Sequence, residues 1–372
     1  MHQRIIRPVL FKQRIWPSFI YNGNRYKTDD FTTRLNKLKA KYDNALANAI
    51  VEDDDRFDKK LMDAFFKSDD IRLLPYSGIS TLLDSPYSED LASTDIALIG
   101  IPMDLGVTNR PGARFGPRAV RTIERVGPYN HQLKIAPHLN KRVNDVGDVP
   151  FRSRYDLPSS IEDIETFIKK VIASGAKPLS VGGDHSVTYP ILKAVGAKEP
   201  VALIHFDAHC DTCGPFEGAK FHHGGPFRLA ALDGVIDPHK TIQIGIRGSS
   251  EIVWGFSYDS GMTVIHIEDI IKNGCDWVVS QARKVVGDSP VYISFDVDCL
   301  DPSIAPGTGT PEVGGLTSRE AQQMLRALDG LNVIGGDVVE VAPQYDSTTN
   351  TALVGAQILF EILCLMANPS IK

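Results

Sequence analysis

Short apolar runs separated by polar, glycine-containing loops begin at Asp95 and recur to near the end of the chain. Ile96–Ile101 is apolar and rich in β-branched residues and stops at Pro102; Pro178–Val181, Val201–Phe206, Thr241–Ile246, Thr263–Ile267, Pro290–Phe295 and Val333–Val341 repeat the pattern. Such runs are far too short to span a bilayer and read as strands buried on both faces. Between them, Glu162–Ala173 and Pro190–Ala194 carry helical spacing. The alternation predicts an α/β fold with a mainly parallel central sheet covered by helices on both sides. No glycine-rich nucleotide-binding pattern follows any of these strands, and no internal repeat is present.

Residues 1–90 read differently. Asp30 to Lys67 is highly charged, with Phe31, Leu35, Leu38, Tyr42, Leu46 and Ile50 near helical intervals, which predicts one or two amphipathic helices. A proline- and serine-rich connector follows, around Pro75 to Pro86. The expected organisation is a helical N-terminal extension over 1–90, packed on the core or on a neighbouring subunit, and a main domain over 91–372.

Composition narrows the function classes. A net charge of −6 gives no general affinity for nucleic acid or anionic membrane. The N-terminus lacks the apolar region of a secretory signal. Five cysteines, odd in number and scattered, argue for reduced thiols and a cytoplasmic protein.

The chemistry sits where strands end, which is where open parallel sheets bind ligands. Val201–Phe206 runs into Asp207-Ala208-His209-Cys210-Asp211, and in extended chain alternate residues project to one side, so Asp207, His209 and Asp211 can converge. Pro290–Phe295 enters Asp296-Val297-Asp298, with Val297 expected to point back into the core. Pro178–Val181 is followed by Gly182-Gly183-Asp184-His185-Ser186, whose glycines permit a sharp turn that presents His185. A single strand-end aspartate is ordinarily a helix cap. Three clusters with two imidazoles and at least four carboxylates exceed what capping needs, and unpaired buried carboxylates cost several kcal/mol. Four carboxylates balance two divalent cations, with Asp207 and Asp296 as bridges. Hard oxygen donors with imidazole suit manganese, and imidazole also suits nickel. Two ions sharing a water lower its pKa, which makes hydrolysis the natural reaction class. Cys210 and Cys213 form a C-x-x-C pair, but Asp211 between them has the better use.

Gly-Gly-Asp-His-Ser at 182–186, Asp-Ala-His-Cys-Asp at 207–211 and Ser-Phe-Asp-Val-Asp-Cys-Leu-Asp-Pro at 294–302 resemble, in that order, three signatures of the ureohydrolases, the arginase and agmatinase superfamily. The resemblance runs from about Asp95 to Leu365 and includes Gly309-Thr310-Pro311 and Gly314-Gly315-Leu316-Thr317; the first 90 residues lie outside it. It implies a three-layer α/β/α arginase-like fold and an enzyme that releases urea from a guanidino group. It assigns one metal ion to His185, Asp207, Asp211 and Asp296, and the other to Asp207, His209, Asp296 and Asp298. In Phe221-His222-His223-Gly224, His223 matches the family's proton carrier better than His222 does. Glu340 matches the carboxylate that pairs with the guanidinium; a buried structural ion pair is its other reading. Asp211 would accept the nucleophile's proton and His223 would deliver one to the departing nitrogen. The implied partners are a small guanidino substrate, further copies of the chain in a trimer or hexamer, and a metal-loading accessory protein.

The substrate's tail is harder to read. Arginine needs a reader for ammonium and carboxylate, agmatine one for an amine, and guanidino acids a cationic one. The arginase-type loop after the second signature is replaced by Cys213-Gly214-Pro215-Phe216-Glu217, which argues against arginine. Gly106 to Pro117 is agmatinase-like, although its arginines equally suit a loop entering a helix with Pro117 in the first turn. Trp254, Phe256 and Tyr258 either wall a pocket or pack in the core. The long extension, His223-Gly224-Gly225-Pro226-Phe227 and Ser257-Tyr258-Asp259-Ser260-Gly261 most resemble the guanidine hydrolases. The expected reaction is therefore guanidine and water to urea and ammonia, with agmatine, guanidinobutyrate and guanidinopropionate as alternatives. A non-catalytic metal-binding scaffold is the rival of another class, and the retention of His223 and Glu340 beside the ligands speaks against it.

Overall fold

The computed structural model describes residues 31–42, 77–124, 126–248 and 251–368. The chain divides into two units, Met1–Arg72 and Leu73–Lys372. In the first, a helix spans Phe31–Tyr42; the rest of the helical stretch expected up to Lys67 lies outside the described residues.

In the second unit one eight-stranded sheet is built from β1 (Ile96–Gly100), β2 (Val143–Asp148), β3 (Lys177–Val181), β4 (Val201–Phe206), β5 (Ile236–Ile246), β6 (Thr263–His266), β7 (Val291–Asp296) and β8 (Val333–Val339). Their order across the sheet is β2-β1-β3-β8-β7-β4-β5-β6, and every neighbouring pair is parallel. All carboxyl ends therefore lie along one edge. The seven expected strands are present. The unexpected one, β2, carries Asn144, Asp145 and Asp148, so it is not an apolar run. As an edge strand it keeps Asp145 buried by pairing it with Arg121 at 2.8 Å and with the Leu82 N–H at 2.8 Å.

The two faces of the sheet carry separate apolar layers, and strand residues alternate between them as the pleat requires. Leu98, Ile204 and Ile293 join one layer with the helices Cys275–Val286, Ser318–Arg326 and Asn350–Met366. Ile99, Leu203 and Tyr292 join the other with Leu157–Ala173, Thr188–Val195 and Pro226–Leu232. This is the expected three-layer α/β/α arrangement. Leu82 and Leu83, from the stretch ahead of β1, are buried in the first layer.

The exits of β1, β3 and β8 cross at the paired glycines. Gly183 donates to the Ile101 carbonyl at 2.8 Å, Gly182 to that of Val338 at 2.8 Å, and Glu340 donates back to Gly183 at 2.9 Å. A Cβ on Gly183 would fall 1.6 Å from the Met103 carbonyl oxygen. Because that neighbour is backbone, nothing yields cheaply. Gly183→Ala is expected to cost about 3 kcal/mol or more, or to prevent folding. Gly255→Ala, where an added Cβ meets nothing within 4 Å, should change the melting temperature little. Coincident melting of Gly183→Ala with the wild type would refute the close crossing.

Candidate metal centre

His185, Asp207, His209, Asp211, Asp296 and Asp298 all follow or end β3, β4 and β7, and the fold brings them into one cluster. His185 Nδ1 lies 3.1 Å from Asp207 Oδ2, 2.9 Å from Asp211 Oδ2 and 3.3 Å from Asp296 Oδ2. His209 Nδ1 lies 3.3 Å from Asp207 Oδ1 and 3.1 Å from Asp298 Oδ2. Asp207 thus serves both groups, one oxygen to each.

Backbone donors hold these carboxylates in place. Asp207 Oδ1 accepts from the His209 N–H at 2.6 Å, Asp296 Oδ1 from that of Asp298 at 2.8 Å, and Asp298 Oδ1 from that of Ala208 at 3.1 Å. The capping role expected of a lone strand-end aspartate is real for Asp296, which caps the turn Val297–Cys299, and each of these bonds occupies one oxygen. The other oxygens face the imidazoles. Asp211 is not the third member of a plain extended alternation, because its φ is +52°. That left-handed turn, which aspartate tolerates better than most residues, swings its carboxylate onto His185. Val297 is fully buried, as expected.

The cluster is short of positive charge. Ser294 Oγ donates to Asp337 Oδ1 at 2.7 Å, so it accepts from His185 Nε2 at 2.8 Å. The His185 proton is then on Nε2, and Nδ1 turns a lone pair, with no hydrogen-bond partner, toward three carboxylate oxygens. Acceptors facing a lone pair repel it unless a cation lies among them. Without one, the conflict is relieved when the ring takes a second proton or a facing carboxyl keeps its own. Burial opposes that proton, yet Asp207, Asp211 and Asp296 outweigh it and hold His185 well above the ordinary histidine value. Burial, then Asp298 and Asp207, push the Asp296 carboxyl well up; burial and Asp207 raise Asp298. Donor atoms about 3 Å apart also match the edges of a coordination shell with bonds of about 2.1 Å. Four carboxylates and two imidazoles fit a pair of divalent ions.

Beside the cluster, His223 Nδ1 lies 2.8 Å from Glu340 Oε1, which also accepts the His185 N–H at 2.9 Å. Glu340 Oε2 is buried without a partner, and Gly309 leaves room beside it. His223 Nε2 faces the Thr108 hydroxyl at 2.6 Å and the Thr108 N–H at 3.1 Å. Burial favours a neutral ring, but the Glu340 carboxylate outweighs it and lifts His223 to about 9. His222 turns aside and bonds the Gly214 carbonyl at 2.9 Å.

These groups open on a cavity of about 530 Å³, lined among others by Thr108, His209, Asp211, Asp296, Asp298, Phe216 and Arg228. Of the three candidate wall aromatics only Phe256 lines it. Trp254 packs its ring 4.7 Å from that of His266, and the Tyr258 hydroxyl lies 2.7 Å from His266 Nε2. Arg114 pairs with Asp104 and Arg110 stacks 5.3 Å from the Tyr345 ring; neither is among the residues lining the cavity, and Pro117 lies in the first turn of Gly116–Arg121.

A model of the Arginase family matches residues 94–365. The chain belongs to the arginase family. It is 48% identical over 301 residues to a guanidinopropionase of Pseudomonas aeruginosa, covering 80% of this chain and 94% of that one. A mitochondrial agmatinase of Gallus gallus is 46% identical, with 79% and 87% covered. Among solved structures, proclavaminate amidino hydrolase from Streptomyces clavuligerus superposes with a TM-score of 0.76 at 35% identity, covering 79% of this chain and 99% of that one. Arginase from Bacillus caldovelox gives 0.63 at 27% identity, with 73% and 98% covered. The ureohydrolase resemblance and its boundaries are thereby borne out.

Around this arginase-family core, the structure adds residues that sequence reasoning passed over. His205, fully buried in β4, accepts from Gln243 at Nδ1 (3.1 Å) and lies 2.8 Å from Asp207 Oδ2 through Nε2, so it orients that carboxylate. Its signal was available: a lone histidine in an apolar strand, two residues before Asp207 and hence on the same side. Thr108 and the Ser294–Asp337 relay left no such trace.

Two outcomes follow for the metal-free chain. Glu340→Gln should bring the His223 titration down from about 9 into or below the ordinary histidine range, read by NMR. Because the folded value lies above the unfolded one of about 6.5, the pair's stabilisation is complete below that pH and is lost as pH rises through about 9. An unmoved titration would separate His223 from Glu340. Burial pushes the Cys210 thiol up to about 12. In the native chain at pH 8 Cys210 should stay unalkylated by mass spectrometry, while denaturation exposes all five thiols.

Proposed function

We propose that the chain hydrolyses a guanidino compound to urea and an amine or ammonia at two divalent metal ions. His185, Asp207, Asp211 and Asp296 would hold one ion; Asp207, His209, Asp296 and Asp298 would hold the other. The observation that carries this reading is His185 Nδ1, a lone pair aimed at three carboxylate oxygens. When bound, such a pair of ions supplies a nucleophilic water at neutral pH and stabilises developing negative charge. Oxygen-rich donors support manganese and the two imidazoles leave nickel open.

The chain's own groups supply the rest. Asp211 lines the cavity and takes the proton released by the attacking water. Glu340 is buried beside His223. It fixes the His223 ring with Oε1 and leaves Oε2 open to accept from a guanidinium N–H. His223, which lines the cavity with the Thr108 hydroxyl beside its Nε2, delivers a proton to the departing nitrogen.

Every acidic residue lining the cavity belongs to the metal cluster, which leaves no further carboxylate to read the amine of agmatine among the lining residues. Free guanidine, which has no tail to read, is supported by the apolar wall of Phe216 and Phe256. A guanidino acid is supported by Arg228, the cation in the same wall. Free thiols suit a reducing compartment such as the cytoplasm.

Reconstitution with manganese or nickel should yield urea from guanidine or a guanidino acid and none from arginine. No urea from guanidine, guanidinopropionate, guanidinobutyrate, agmatine or arginine under either metal would sink the hydrolase reading. Asp298→Asn should reduce bound metal from two ions to about one per chain, read by elemental analysis, and slow urea release at least about 100-fold. Retention of both ions would remove Asp298 from the ligand set.

A further inference from the structure

We propose that Arg228 reads a carboxylate at the far end of the substrate, which makes the chain a hydrolase of short ω-guanidino acids. The inference rests on the amidinohydrolase reading and narrows it. Arg228 lies on the helix Pro226–Leu232, directly after the loop that carries His223. Its half-buried side chain lines the cavity that also holds His209, Asp211 and His223, and it is the one lysine or arginine among the lining residues.

Its surroundings are unusual for a partly buried guanidinium. Arg121 pairs with Asp145 and Arg326 with Glu361, whereas Arg228 has neither an ion pair nor a hydrogen bond among the described residues. Its one specific partner is the Phe256 ring, 4.7 Å from Cζ to centroid. An aromatic face steadies a guanidinium without neutralising it or using its N–H donors. A partly desolvated cation with five free donors is costly unless a ligand supplies the anion. Gly214 stands beside it: an added Cβ there would come within 3.7 Å of Arg228 Cζ, so the glycine leaves the approach open.

The cavity is consequently charged in two places of opposite demand. Glu340 Oε2 offers an acceptor to a guanidinium, and Arg228 attracts a carboxylate that its planar fork can bind through two bonds. A zwitterion with a short apolar chain satisfies both, while the ammonium of agmatine would face a like charge at Arg228. The volume of about 530 Å³ has room for more than a dozen waters at about 30 Å³ each, far beyond what free guanidinium fills.

The test measures kcat and KM for urea release from guanidinopropionate, guanidinobutyrate, guanidine and agmatine, using the metal-loaded full chain. The wild type should prefer a guanidino acid. Arg228→Met, which keeps an apolar stem on Phe256, should lower kcat/KM for guanidino acids about 10- to 100-fold, mainly through KM. The ratio of guanidino acid to guanidine turnover should fall with it, Arg228→Lys should recover part of the loss, and Arg228→Glu should shift preference toward agmatine. Equal losses on all substrates, or a wild type that prefers guanidine or agmatine, would overturn the role of Arg228 while leaving the hydrolase standing. Urea from none of the four would instead fell the underlying reading, and this inference with it.

Discussion

Buried negative charge at one edge of a parallel sheet is the constraint to which the rest of this protein answers. Asp207, Asp296 and Asp298 are almost wholly inaccessible, and Asp211 nearly so. In so dry a setting carboxylates a few ångströms apart cannot all be ionised without compensation. A parallel sheet is suited to the task because every strand leaves by the same edge. The neighbours β3, β8, β7 and β4 deliver, in that order, His185, Glu340, Asp296 with Asp298, and Asp207 with His209 and Asp211. Adjacent strands lie about 4.8 Å apart, so groups 155 residues apart in sequence, such as His185 and Glu340, come within hydrogen-bond reach.

Compensation is layered. Backbone N–H groups of 208, 209 and 298 donate to one oxygen each of Asp298, Asp207 and Asp296. Behind them lies a buried polar layer: Asp337 collects hydroxyls from Thr188, Tyr292 and Ser294, and Ser294 passes the orientation to His185. Phe227 packs edge-on against His185, 5.1 Å between centroids, and 4.2 Å from His205, closing the cluster from below with an apolar ring. After all this, His185 Nδ1 and Glu340 Oε2 are still unpartnered. Buried polar atoms are normally paired, and these two unpartnered atoms lie together where β3 and β8 leave the sheet.

The sheet and the six clustered residues were legible because both follow local rules. Apolar runs of strand length, a period of two, and charged residues placed where strands end are patterns within ten residues. The strand β2 escaped because Asp145 is made tolerable by Arg121, a partner no local pattern discloses. Trp254 and Tyr258 were candidates for a wall and instead pack against His266, since aromatic character alone does not say which side of a helix faces the cavity. Thr108 lies 115 residues from His223, and Arg228 lines the cavity with no charged partner among the described residues. Long-range pairing and missing partners leave no mark in a single sequence.

Local strain makes the same point about priorities. Asp211 and Glu340 both adopt positive φ, +52° and +64°, a region that costs a non-glycine residue about 1 kcal/mol or more. Glycine would relieve either position, and would remove a carboxylate from the cluster or from His223. At Asp211 the left-handed turn is what departs from the extended alternation and reaches His185. At Glu340 the strained backbone still donates to Gly183, so the conformation is held by the crossing of β3 and β8 and not by the side chain alone. The rigid glycine crossing and the strained acidic exits are thus one device: close backbone contact fixes the strand ends tightly enough to keep two unfavourable torsions in place. Stability is given up locally so that charge can be placed where solvent would never have put it.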